Sequence, residues 1–181
     1  RMYVPAKIVT HIFVAVGLEA VFSAFNFLII NKQYGLKGSA MMLYSISEYQ
    51  YTPFDMSVLD FYFFIVLWKC IGFAIIAIVM TLIAEIVKNT YVVFILIIGF
   101  ICGSLYLSGF DNGITVVEKI FTMVSPFSLL KTGEIGITLK EINVYGHFIP
   151  LQNGIFFVQI VLIMIILAIT YLVEKGRRAI R

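Results

Sequence analysis

Residues 61–84 read FYFFIVLWKCIGFAIIAIVMTLIA, a run of large apolar side chains broken by one charge, Lys69. A helix rises ~1.5 Å per residue, so such a run crosses a ~30 Å hydrocarbon layer. Three further runs have the same character, at 8–30, 91–110 and 154–173. Segments of this kind have no reason to fold in water. The expectation is an all-α, polytopic helix bundle with four membrane spans, occupying 1–181 as one transmembrane domain.

Composition agrees. Hydrophobic residues make up 61% of the chain and charged residues 13%, against roughly 45–50% and 25% in soluble domains. A net charge of +3 is too small to argue for nucleic acid. Cys70 and Cys102 both fall inside spans, which disfavours a disulfide framework. The chain opens Arg1-Met2-Tyr3, as a segment of a longer polypeptide would.

Basic residues set the orientation. Arg1, Lys7, Lys88, Lys175, Arg177, Arg178 and Arg181 share one side, crowded into roughly two dozen positions. Lys32, Lys37, Lys119, Lys131 and Lys140 are spread over roughly seventy positions on the other. The positive-inside rule therefore puts both termini in the cytoplasm and makes 31–57 and 111–153 outer loops. The first loop is rich in aromatic residues suited to headgroup depth, and 36–46 reads as a short interfacial helix. The second opens on the turn signal Asp111-Asn112-Gly113 and carries two weak apolar runs separated by Ser125-Pro126. That pattern predicts a re-entrant hairpin dipping into the outer leaflet, with an ordinary folded loop as the plainer reading.

Polar residues inside the spans are the functional candidates. Glu19 lies about eleven residues, ~17 Å, from the inner edge, and Lys69 about nine residues, ~13 Å, from the outer edge. These depths coincide in a ~30 Å core, which predicts an intramembrane ion pair between Glu19 and Lys69. Packing is its favoured role over transport, because pairing already removes the cost of burial. Ser23 and Asn26, one and two turns beyond Glu19, suit cross-helix hydrogen bonds. Gly99 and Gly103 form a small-xxx-small pair, expected to be a packing notch within the subunit rather than a dimer interface.

Catalytic signals are weak. His11 and His147 fall on opposite sides of the assigned topology and cannot share a metal. Zinc, phosphate-loop, nucleophile-elbow and Cys-x-x-Cys motifs are missing. The expectation is a non-enzyme with no cofactor, metal or catalytic residue of its own.

Certain stretches carry a likeness: YQYTPFDMS at 49–57, Lys88-Asn89 in the tight inner turn, SPFSLL at 125–130 and INVYG at 142–146. With the order of spans, they resemble the C-terminal two-thirds of a type-2 ATP-binding-cassette exporter permease, the kind found in bacterial peptide-antibiotic export and immunity systems. That family has six spans per permease, so the resemblance implies two more before Arg1. It implies a cell-membrane subunit that exports a hydrophobic or amphipathic peptide, lipid-like compound or drug. The power would come from a separate ATPase subunit, and a second permease subunit would complete the path. Arg1, Tyr3, Lys7 and Lys88 would then touch the ATPase. A small accessory or immunity protein that binds its ligand without transport is the alternative, and a membrane enzyme ranks last.

Overall fold

The computed structural model describes residues 3–35, 37–52, 54–87, 89–108, 123–131, 141–144 and 147–179. Four helices cover the expected spans: α1 (Tyr3–Tyr34), α2 (Val58–Ile86), α3 (Thr90–Ser108) and α4 (Leu151–Ala179). Three contain stretches long and apolar enough to cross a bilayer, at Ala6–Gln33, Val58–Ile86 and Asn153–Leu172. The apolar stretch of α3, Thr90–Gly103, is shorter. Residues 109 and 110, the end of the expected third span, lie outside the described residues.

Local chemistry fixes the helix ends. Gly35 terminates α1 with φ +69, and its N–H donates to the Asn31 carbonyl at 2.9 Å. That left-handed cap suits glycine, which has no Cβ to clash. The Ser57 Oγ accepts from the Asp60 N–H at 3.1 Å and donates to the Asp60 carboxylate at 2.6 Å. This cap starts α2 three residues ahead of its apolar run. At the turn between α2 and α3, the Asn89 Oδ1 accepts from the N–H groups of Tyr91 and Val92, capping α3 in the same manner.

Over the described residues 37–46 the expected helix is reduced to one 3-10 turn, Leu43–Ser45. The loop instead folds back on the start of α2 through a bridge between Met42 and Ser57. Leu43 donates to the Met56 carbonyl and Val58 to that of Met41. Leu43 is buried beneath this bridge, and burying its side chain requires the backbone groups around it to pair. The all-α expectation has one further exception, an antiparallel ribbon of β1 (Glu141–Val144) and β2 (His147–Pro150). Its register pairs Val144 with His147, and its β-branched and aromatic residues favour strand.

Helix α2 is central and packs against α1, α3, α4 and the 3-10 turn Pro126–Lys131. Ile75, Met123, Leu129 and Ile155 form the core, with Trp68, Ile71 and Val158 against it. The outward surface is apolar: Phe13, Phe22, Phe94 and Phe157 are all exposed. The covered stripe of α1 runs Val4, Ile8, Ile12, Glu19, Ser23, Phe27, spaced mostly by four and placing the polar residues inward. Apolar rings outward and a carboxylate inward is the arrangement expected of a surface solvated by hydrocarbon. The fold defines a helical membrane protein.

Candidate functional site

Two polar features lie within the bundle. The first is the seam between α1 and α2. At one end, the Lys7 Nζ donates to the Glu85 Oε1 at 2.7 Å. One turn further in, the His11 Nδ1 meets the Thr81 Oγ1 at 2.7 Å. The Thr81 hydroxyl has a single proton and donates it to the Ala77 carbonyl at 2.7 Å. Thr81 must therefore accept from His11, which places a proton on Nδ1. Further along, the Tyr62 hydroxyl donates to the Ser23 carbonyl at 2.6 Å. These contacts run α1 and α2 antiparallel.

Glu19 and Lys69 fall within the same stretch of this seam, between the Thr81 and Tyr62 contacts, so their levels match as the depth argument expects. They form no ion pair. Among the described residues the salt bridge is Lys7–Glu85, and the Glu19 Oε1 instead accepts from the Ser23 Oγ at 3.0 Å. A partner at i+4 on the same helix needs no long cross-helix reach and orders fewer rotatable bonds. Lys69 is half-buried. Asn26 is exposed and faces away from the seam.

The second feature surrounds Ser125-Pro126. The turn Pro126–Lys131 rests on α2 at Gly72, halfway along that helix. A Cβ on Gly72 would stand 3.0 Å from the Leu130 Cδ2, 3.2 Å from the Leu129 Cβ and 3.6 Å from the Pro126 carbonyl oxygen. Ser125, Ser128 and Leu129 are each buried to 2% exposure or less. The helical turn before Ser125 ends with carbonyls that lack intrahelical partners. Gln159 of α4, at 1% exposure, supplies them: its Nε2 donates to the Met123 carbonyl at 2.7 Å and the Val124 carbonyl at 3.0 Å. Edge-on contacts between rings extend from this point toward the loop joining α1 and α2, from Phe156 to Trp68 (5.4 Å) and on to Phe64 (5.8 Å).

Among the described residues nothing lies within 4 Å of a Cβ at Gly99 or Gly103 and both are exposed, so no described residue fills the expected intrasubunit notch. Gly72 takes the role instead. Neither Gly72 nor Gln159 stood out in the sequence reading. The available signals were a single glycine in α2 and a single amide in the apolar run of α4.

Arg1 and Lys88 lie outside the described residues, as do the two arms flanking the 123–131 segment. Tyr3 begins α1. Lys7 stands at the end of the seam, held by Glu85. No group of three or more His, Cys, Asp or Glu among the described residues is arranged to hold a metal. No family model, curated protein or solved structure matches the chain.

Proposed function

We propose that this chain is the permease subunit of an ATP-binding-cassette exporter in the cell membrane, with four spans and both termini cytoplasmic. It moves a hydrophobic or amphipathic substrate outward while ATP is hydrolysed on a partner subunit, and it works beside a second permease subunit. The observation that carries this reading is the Pro126–Lys131 turn seated on Gly72, with Gln159 pairing the Met123 and Val124 carbonyls just before it. Backbone outside regular helix, halfway along a span, is tolerated in a membrane only when protein or a water-filled cavity covers it, and broken helices of this kind belong to transporters. On this reading the segment around Ser125-Pro126 is the tip of a re-entrant hairpin closing the outer side of the path.

The Lys7–Glu85 contact adds support at the other end. It fastens the entry of α1, where the candidate contacts Tyr3 and Lys7 lie, to the exit of α2. Co-expression with a candidate ATPase subunit tests the proposal. The two should co-purify in mild detergent, and ATPase activity in vesicles should rise with the chain present and fall when Lys7 and Lys88 are changed to Glu. A stable, ligand-binding chain that associates with no ATPase would overturn the permease reading in favour of the accessory protein.

A further inference from the structure

The bend between α1 and α2 holds an open-sided cavity of about 450 Å³, lined by Phe27, Ile30, Met41, Ile46, Leu59 and Tyr62 together with Gly35 and Gly38. That size lies within the range of small-ligand sites. Its walls offer almost no hydrogen bonds. The Tyr62 hydroxyl is engaged by the Ser23 carbonyl. The N–H groups of Gly35, Met41, Ile46, Val58 and Leu59 are all bonded to backbone carbonyls. A polar ligand would lose its water partners here and gain few in return. An alkyl chain loses none.

The position selects among apolar ligands. The cavity lies where two apolar helices end and an aromatic-rich loop begins, the depth at which acyl chains meet headgroups. Lys32, in the last turn of α1, and Lys37 are both exposed and bracket Gly35 in the sequence. Each is within three residues of the lining Gly35, and Lys37 directly precedes the lining Gly38. Of the nearby carboxylates, Asp60 is held by Ser57 at 2.6 Å, while Glu48 and Asp55 lie further round the loop, past Ile46. We propose that this cavity binds one acyl chain of an anionic phospholipid from the surrounding bilayer, with Lys32 and Lys37 holding its phosphate.

The site needs only that α1 and α2 meet a bilayer, so it stands apart from the transport reading: ATPase association can fail while lipid binding succeeds. The probe is phosphatidylglycerol bearing a diazirine in one acyl chain, mixed into phosphatidylcholine vesicles holding the purified chain. After irradiation, adducts mapped by mass spectrometry should concentrate on Phe27, Ile30, Met41 and Leu59. A Cβ at Gly38 meets the Met41 sulfur at 3.6 Å, so Gly38→Leu should fill the space and remove most of these adducts. Ile46→Trp fills it from the opposite wall if the first variant does not fold, and excess unlabelled phosphatidylglycerol should compete on the unaltered chain. Each charge reversal, Lys32→Glu or Lys37→Glu, should lower phosphatidylglycerol labelling by about fivefold, and the same probe built on phosphatidylcholine should label weakly. Adducts spread over outward residues such as Phe13 and Phe157, without competition, would overturn the site. Equal labelling by the two lipids, unaffected by the charge reversals, would overturn the anionic ligand.

Discussion

The amide of Gln159 reaches the carbonyl of Met123 at 2.7 Å, across 36 positions of sequence. One buried side chain on α4 thereby completes the backbone hydrogen bonding of a segment that stops being helical in the interior. Gln159→Leu keeps the volume roughly and removes the donors, leaving the buried Met123 carbonyl and the part-buried Val124 carbonyl without that partner. It should cost about 1–3 kcal/mol, read as a lower unfolding midpoint in detergent. Gln159→Asn, too short to span the gap, should behave like Leu. Unchanged midpoints for both would show that the carbonyls find other partners.

Gly72 and the Gly99/Gly103 pair should respond in opposite ways. A methyl at Gly72 presses on Leu129 and Leu130 and should destabilise by roughly 1–3 kcal/mol through overpacking. Gly99→Ala and Gly103→Ala meet open space and should be neutral, or stabilising by roughly 0.5–1 kcal/mol through helix propensity. Thermal unfolding of the three single variants decides it, and the reverse ranking would contradict the packing described.

Glu19 and Lys69 make no ion pair, so their substitutions should add. In a double-mutant cycle of Glu19→Gln and Lys69→Met, the coupling should fall within about 0.5 kcal/mol of zero. A coupling of several times that size would mean the two charges meet after all. Ser23→Ala, which removes the hydroxyl that Glu19 accepts from, should instead couple to Glu19→Gln.

The Lys7–Glu85 contact is partly exposed, with side chains 37% and 23% accessible. Solvent screening limits its worth to about 0.5–1 kcal/mol. Reversing either charge alone should lower stability by that order, and Lys7→Glu with Glu85→Lys should recover most of it. With Cys70 and Cys102 replaced, cysteines at 7 and 85 should crosslink efficiently with a short bifunctional reagent. Failure to crosslink would separate the start of α1 from the end of α2.

The helices were legible in the sequence because hydrocarbon imposes a length and an apolar composition on whatever crosses it. What decides their packing was less visible. Glu19 and Lys69 announce themselves by cost, yet cost identifies only the need for a partner, and Ser23 met that need for Glu19 from one turn away. Gly99 and Gly103 carry the familiar small-residue spacing, but spacing does not reveal which way a helix faces. Gly72 and Gln159 act through partners more than thirty residues distant, so their roles emerge only when the turn at Pro126 is seen against them. The fold of the loop before α2 is not legible locally, because its bridge from Met42 to Ser57 depends on the cap that starts α2.

Trp68 is the sole tryptophan of the chain, and it lies edge-on to Phe156 beside the core that receives Leu129. The chain's one indole, excitable apart from its ten tyrosines, thus stands at the contact between α2, α4 and the interior turn. Its emission maximum and quenching by brominated lipid give a label-free optical readout of any displacement of that turn.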